Sequence, residues 1–145
     1  MASTERRAAL TDLARAGFSD LEASSDALDE LSSLTGIDRG HLVESAQRAA
    51  DPDGAVQACV RIGRRDAAAL RAAMDDAGAV LWSLLGASSG FADFFLRHPE
   101  ELTHLVGAGR MLPSPQAMRE GLLEAIGADA DGFAAASDES AWVAL

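Results

Sequence analysis

Residues 84–102 read LLGASSGFADFFLRHPEEL, and this stretch decides the expected fold. Its pattern predicts a helix end, a capped turn at Ser88–Ser89, and a short apolar helix from Gly90 to Arg97. Pro99 suits the first position of the next helix, because its missing N–H would have no partner there. His98 is expected outside both helices, since the residue before a proline avoids the helical region.

Caps, glycine stops and apolar spacing predict further helices on both sides of this stretch. Five are expected before it: Ser3 or Thr4 to Ala16, Ser19 or Asp20 to Thr35, Asp38 to Ala50, one that Asp53 caps and Gly63 to Asp66 breaks, and Ala67 to Leu85. The helices expected from Pro99 onward run from Pro99 to Gly107, from Ser114 to Gly127, and from Ser137. Gly78 lies inside the long helix and costs it about 1 kcal/mol relative to alanine, so a break or close packing is expected there.

The composition favours helix and suits one domain. At 145 residues the chain is long enough to bury a substantial core. Alanine, leucine, arginine and glutamate are strong helix formers, and the sequence contains no run of alternating β-branched residues. We therefore expect an all-α, irregular multi-helix bundle that spans residues 1–145 as a single domain.

The charge of the chain limits its partners. The 23 acidic and 12 basic residues give a formal net charge of −11, which repels a phosphate backbone, so no nucleic-acid partner is expected. No signal-like apolar segment follows Met1–Arg7, and no run of about 18 apolar residues occurs, so we expect no membrane insertion. Cys59 is the one cysteine, and a chain without an internal disulfide is typical of the cytoplasm.

Two sets of side chains resemble ligand sites, and both have simpler interpretations. Asp129 and Asp131 form the kind of carboxylate pair that holds magnesium in nucleotidyltransferases. We interpret this pair as a surface loop, because neither a strand nor a glycine-rich loop precedes it. It also fails as a calcium loop, since Gly127 and Asp138 stand where Asp and Glu are needed. Structural roles are expected for the histidines, which share no metal-ligand spacing: His41, His98 and His104.

Other reactive or charged side chains also favour structural roles. Ser88 and Ser89 follow no strand or glycine-serine-glycine elbow, so helix capping is preferred over nucleophilic chemistry, with anion binding as the alternative. Arg97 is expected either to cap the carbonyl end of the short helix or to lie on a docking surface. Cys59 follows the apolar pattern of its helix and is expected in the core. Gly63–Arg65 is interpreted as a solvated basic face.

Three of the five phenylalanines cluster within the short helix. Phe91, Phe94 and Phe95 stand at i, i+3 and i+4 and share a broad face, with Asp93 pointing away beside Arg97. We predict that Phe91 and at least one of the other two anchor the core between the long helix and the Pro99 helix. The alternative is an exposed docking patch.

The same stretch carries a family resemblance. Leu84–Ser88, Asp93 after a small-residue turn, and Arg97–Pro99 together resemble the N-terminal part of the glutamine synthetase adenylyltransferase family. The members of that family are bifunctional enzymes that both attach and remove adenylyl groups. Asp51–Asp53 with the apolar helix after it, and Leu112–Ser114, resemble the actinobacterial branch.

The resemblance extends from about Ala16 to Leu145 and implies a much larger enzyme. Family members attach AMP from ATP to glutamine synthetase and remove it by phosphorolysis, with magnesium as cofactor and the PII signalling protein as a regulator. None of the family's catalytic, cofactor-binding or metal-ligating residues has a matching position in this sequence. We therefore carry over no site residue, and we expect neither ATP nor magnesium to bind this chain.

On this interpretation the chain is an N-terminal scaffold that is truncated before the catalytic core. A last short helix would end in apolar side chains with nothing after them to bury against: Trp142, Val143 and Leu145. The alternative is a stand-alone acidic helical interaction module without catalysis. The two are distinguished by whether the reading frame continues past Leu145 into a strand-rich segment with a glycine-rich loop and an Asp-x-Asp pair.

Overall fold

The expectation of an all-α fold is confirmed. A computed structural model describes residues 2–105, 114–125 and 127, and within these ranges the chain forms helices and no strand. It divides into two compact units, Met1–Arg110 and Met111–Leu145, and each is described by itself. The expectation of a single domain over residues 1–145 stays a prediction.

Six α-helices and one 3₁₀ helix make up the described part of the first unit. The α-helices are α1 (Ala2–Arg15), α2 (Leu21–Thr35), α3 (Arg39–Ala46), α4 (Pro52–Arg65), α5 (Ala67–Ala87) and α6 (Ser89–Arg97). The 3₁₀ helix follows over Pro99–Leu105. In the second unit the described residues form one helix, α7 (Pro115–Ala125).

The predicted ends of the first two helices are confirmed. Gly17 follows α1 with φ 93°, and Gly36 follows α2 with φ 69°, a left-handed conformation that a side chain disfavours. Asp20 begins α2 by accepting a hydrogen bond from the backbone N–H of Ala23 at 3.2 Å.

Asp51, rather than Asp53, caps α4, so that prediction is wrong. Asp51 accepts from the Gly54 N–H at 2.9 Å, and Pro52 occupies the first turn, where a missing N–H has no consequence. The Asp53 carboxylate instead accepts from the backbone N–H groups of Ser19 (2.8 Å) and Asp20 (3.3 Å). It also accepts from the Ser24 hydroxyl at 2.5 Å. It therefore fastens the start of α2 to the start of α4.

Two other predicted helix bounds are also wrong. The expected break at Gly63–Asp66 starts too early, because α4 continues to Arg65. Gly63 is buried there, and a Cβ on it would lie 3.1 Å from Leu70 Cδ2, so its small size permits close packing rather than ending the helix. The third helix ends at Ala46 instead of Ala50.

The core of the first unit lies among α2, α4 and α5, and α4 is its centre. Ten of the buried apolar side chains that form the core of this unit are 0% exposed: Leu28, Leu31, Ala46, Ala55, Val56, Cys59, Ile62, Leu70, Leu81 and Leu102. α5 is kinked at Ala77 (φ −138°, ψ 25°), next to Gly78, where the sequence predicted a break or close packing. A Cβ on Gly78 would contact nothing within 4 Å, so the break is the feature observed.

Single residues link α4 to α5 and α5 to α6. The Asp66 N–H donates to the Ile62 carbonyl at the end of α4, while its carboxylate accepts from the Ala69 N–H in α5, both at 2.9 Å. Ser88 links α5 to α6 in the same way, through its backbone N–H and its side chain, and the chain bends by 118° between these two helices. No single helix among the described residues is long and apolar enough to cross a membrane. α5 and α6 pass that test only as this bent pair, on length and composition alone.

The segment from Pro99 is a 3₁₀ helix over Pro99–Leu105, and the predicted helix end at Gly107 lies outside the described residues. Its two buried side chains are Leu102 and Leu105, three residues apart. A 3₁₀ helix has three residues per turn, so this spacing places both on one face toward the core.

Candidate functional site

Gly86, within the stretch that carries the family resemblance, lies where α5 passes over the chain between α3 and α4. A Cβ on Gly86 would lie 2.6 Å from the Cβ of Ala49 and 3.2 Å from both the Ala50 nitrogen and the Asp51 carbonyl oxygen. Cβ atoms essentially never approach other atoms this closely, so only glycine fits here without a shift of the backbone. The role of Gly86 is therefore packing.

Ser88 is the residue that caps α6, as one of the two predicted alternatives. Its N–H donates to the Leu84 carbonyl at 3.1 Å, and its hydroxyl oxygen accepts from the Gly90 N–H at 3.2 Å. Ser89 is the first residue of α6 and is exposed. The Ser88 hydroxyl thus already accepts one of the N–H groups at the start of the helix, which agrees with capping.

Arg97 and His98 complete the end of α6. The Arg97 Nε donates to the carbonyl of Asp93 at 3.1 Å, and the His98 N–H donates to the carbonyl of Phe94 at 2.9 Å. The Asp93 carboxylate lies 3.6 Å from the Arg61 guanidinium of α4 instead of pairing with Arg97. Of the two predicted roles of Arg97, capping is the one that the contacts support.

The prediction that Phe91 anchors the core is wrong. Phe91 and Phe94 are 44% and 41% exposed, whereas Phe95 is 4% exposed. The buried face of α6 is set by Ala92 and Phe95, which pack against α4 and the neighbouring helices. Phe91 lies about 100° around the helix from Ala92, and Phe94 about 100° from Phe95, so both turn toward the surface.

The three histidines lie in different surroundings. His41 is exposed on α3, His98 Nδ1 lies 3.3 Å from Glu100, and His104 Nε2 lies 3.5 Å from Glu101. No group of three or more His, Cys, Asp or Glu side chains in the described ranges is arranged to hold a metal ion. Asp129 and Asp131 lie outside the described residues, as do Trp142, Val143 and Leu145.

Two glutamates have perturbed acidities. The pKa of Glu30 is lowered from its ordinary value, first by hydrogen bonds from Arg64, whose Nε and Nη2 donate to its two carboxylate oxygens at 2.6 and 2.8 Å. The pKa of Glu100 is lowered first by its own backbone N–H and then by His98. Both carboxylates stand at the surface, so these shifts reflect hydrogen bonds and ion pairs there rather than a catalytic acid.

Arg64→Gln is expected to lower the melting temperature slightly at neutral pH, with the difference from the parent chain vanishing in acid. The pKa of Glu30 is lower in the folded chain, so its stabilisation is present above the ordinary glutamate pKa and is lost as pH falls through the lowered value. The effect is small because the Arg64 and Glu30 side chains are 63% and 37% exposed. Thermal melts between about pH 7 and about pH 3 measure it.

The matched control for this pair is Arg48→Gln. Arg48, two residues past the end of α3, lies 3.7 Å from Glu44 of that helix, and both side chains are more than 60% exposed. We expect a smaller change than for Arg64→Gln at neutral pH. A destabilisation by Arg64→Gln that is equally large at the acidic end would contradict the assignment to Glu30.

Cys59 is a core residue, as predicted. Its side chain has no exposed surface, and burial raises the pKa of its thiol above the ordinary value. A buried neutral thiol is neither a nucleophile nor a metal ligand, because both roles require the thiolate.

We expect the Cys59 thiol to resist aromatic disulfide reagents in the native chain and to react fully in denaturant. The physical reason is its burial within α4, which removes both access and thiolate. The measurement is the rate of thiol release at neutral pH with and without denaturant, and free cysteine added to the native chain is the control. Native labelling as fast as that of free cysteine would refute the burial.

A groove of about 570 Å³ lies between the start of α3 and the kinked part of α5. Its polar lining comes from six side chains that the sequence did not bring together: Asp38, His41, Ser45, Arg48, Arg71 and Asp75. No sequence motif marked it, because the groove arises from the kink in α5 and the packing of α3.

The charged groups of this groove are largely engaged with the protein itself. Arg71 donates from Nη1 to the Thr35 carbonyl and from Nε to Asp75, both at 2.8 Å. The Asp38 carboxylate accepts from the backbone N–H of His41 at 3.2 Å. The bond from Arg71 to Thr35 joins α5 to the end of α2, whereas the other two lie within α5 and at the start of α3. Together with the contacts of the 84–102 stretch, these bonds define a helical structural segment in which the distinctive side chains cap and pack helices.

Comparison with known proteins identifies what this segment resembles. The chain is 42% identical over 145 residues to the bifunctional glutamine synthetase adenylyltransferase/adenylyl-removing enzyme of Leifsonia xyli subsp. xyli (strain CTCB07). The match covers 98% of this chain and 14% of that enzyme, so the chain spans about one seventh of the relative's length. No family model and no solved structure matches the chain. The resemblance to the glutamine synthetase adenylyltransferase/adenylyl-removing family is thereby confirmed.

Proposed function

We propose that this chain is the N-terminal helical segment of a bifunctional glutamine synthetase adenylyltransferase/adenylyl-removing enzyme. The observation that carries the proposal is 42% identity over 98% of the chain to a segment of such an enzyme. The longer polypeptide would regulate glutamine synthetase by attaching AMP from ATP and by removing it through phosphorolysis. The segment itself would act as a scaffold.

The contacts of the motif residues support a scaffold role. Gly86 lets α5 pack on the chain that joins α3 to α4, Ser88 caps α6, and Arg97 closes the end of α6. Each of these residues stabilises the arrangement of helices, and the polar groups of Ser88 and Arg97 are used in the hydrogen bonds that do so. The catalytic residues of the enzyme would then belong to other parts of the longer polypeptide.

The cofactors and partners of the longer polypeptide form part of the same proposal. It would use magnesium and ATP, act on glutamine synthetase and respond to the PII signalling protein. The net charge of −11 supports the absence of a nucleic-acid partner. The lone buried Cys59 agrees with a cytoplasmic location. We also propose that the protein does not associate with a membrane.

Calorimetric titration with magnesium-ATP tests the division of roles. We expect no saturable heat with the 145-residue chain, because its described part offers no carboxylate cluster for magnesium. The longer polypeptide is the matched positive control, and it should bind ATP and transfer AMP to glutamine synthetase. Saturable micromolar binding to the 145-residue chain would place a nucleotide site within it.

The reading frame provides a second, direct test. A continuation past Leu145 into a strand-rich segment with a glycine-rich loop and an Asp-x-Asp pair would support the proposal. A protein that consists of these 145 residues alone would overturn it in favour of a stand-alone acidic helical interaction module.

A further inference from the structure

One face of α6 leaves two aromatic rings at the surface. Phe91 and Phe94 are 44% and 41% exposed, and among the described residues of the first unit no other large apolar side chain is as open. With Ser88 and Gly90 they line a shallow recess of about 350 Å³. We call these four residues the aromatic recess.

The two rings are held in place by a buried neighbour. The Phe95 ring, 4% exposed, stacks with Phe91 at a centroid distance of 6.5 Å and meets Phe94 edge-on at 5.3 Å. On the far side, Phe94 lies 5.3 Å from the His98 ring. Rings fixed in this way lose little further freedom when another surface covers them, which makes them effective anchors.

The size of the aromatic recess restricts what can cover it. A phenylalanine carries roughly 200 Å² of surface, so the two rings leave on the order of 170 Å² open. A stable interface between separate proteins needs about 800 Å² from each partner. A second copy of this chain is disfavoured further by repulsion between two molecules of net charge −11.

A covalently attached surface does not need that area. Within one polypeptide the local concentration of a linked element reaches about the millimolar range, so a small apolar contact suffices. The chain matches only 14% of its relative's length, so on the proposed function most of the polypeptide is available to supply such an element.

We propose that the aromatic recess is the docking site for an apolar element of the nucleotidyltransferase part of the same longer polypeptide. This inference rests on the proposed function. The element presents aliphatic or aromatic side chains that fill the space between Phe91, Phe94 and the start of α6. Docking there fixes the helical scaffold against the catalytic part through α6, which is itself fastened to α4 by the buried Phe95 and Ala92.

Hydroxyl-radical footprinting with mass spectrometry tests this on the native sequence, without any variant that could fail to fold. The oxidation rates of Phe91 and Phe94 are compared between the 145-residue chain and the longer polypeptide. Phe95 and Phe18, both buried, serve as internal references. We expect the Phe91 and Phe94 rates to fall at least about fivefold in the longer polypeptide, as complete burial of a roughly 40%-exposed ring requires.

The outcomes separate this inference from the proposed function. A longer polypeptide that transfers AMP to glutamine synthetase while Phe91 and Phe94 keep the rates of the isolated chain overturns the docking site alone. If the oxidation of Phe91 and Phe94 in the isolated chain slows as the chain concentration rises, a second copy covers the recess. That result also overturns the proposed docking site. A reading frame without a nucleotidyltransferase part overturns both.

Discussion

Phe95→Ala is expected to lower the free energy of unfolding of this chain by about 3–5 kcal/mol, the usual loss for a buried phenylalanine. The side chain is 4% exposed and lies where α6 meets its neighbours, so its removal leaves a cavity and takes away the support of two other rings. A loss of this size is a large part of the stability of a small domain. Equilibrium unfolding in urea measures it.

Phe91→Ala and Phe94→Ala are the matched controls, since they make the same chemical change on the same helix. Each should lose only about 60% as much stability, because stabilisation scales with the apolar area removed from water and these two side chains are 44% and 41% exposed. If Phe91→Ala proves as damaging as Phe95→Ala, the assignment of the α6 faces is wrong.

Gly86→Val is expected to destabilise the chain by about 3 kcal/mol or more, at or beyond the upper end of overpacking effects. The first added carbon would lie 2.6 Å from Ala49 Cβ and close to two backbone atoms, and backbone cannot move aside as a flexible side chain can. Gly86→Ala should be milder, at about 1–3 kcal/mol, and opposite in sign to the ordinary benefit of alanine in a helix. Thermal and urea unfolding report both.

Gly78→Ala supplies the control in the same helix. A Cβ there meets nothing within 4 Å, so we expect unchanged or higher stability, by up to about 1 kcal/mol. Adding Ala49→Gly to Gly86→Ala removes the closest contact and should recover part of the loss, which a double-mutant cycle measures. Equal effects of alanine at Gly86 and Gly78 would show that the close approach does not limit stability.

The helices of the described residues, and several of their ends, were predictable because their causes are local. Gly17, Gly36 and Asp20 act through their own backbone and the next few residues, which the sequence displays directly. The cap of α4 was not predictable in the same way, since two aspartates flank Pro52. The choice between them depends on Ser19 and Ser24, about thirty residues away, which the Asp53 carboxylate binds.

The candidate site shows the same division. The stretch around Gly86 could be recognised from its residues, and the comparison supports that recognition. Its physical role could not be recognised, because the contact that requires glycine is with Ala49, from a distant turn. The exposed side of α6 was also hidden. Three phenylalanines share one helical spacing, and only the packing of Ala92 on the core decides which ring is buried.

The single-residue corners at Asp66 and Ser88 have a dynamic consequence. Each corner residue bonds the last turn of one helix through its backbone and the first turn of the next through its side chain. A change in the backbone dihedral angles of Ser88 therefore releases the end of α5 and the start of α6 together. Asp66 couples α4 to α5 in the same way. Amide protons at these ends should exchange through shared opening events rather than by independent fraying, so α4, α5 and α6 would behave as one cooperative unit.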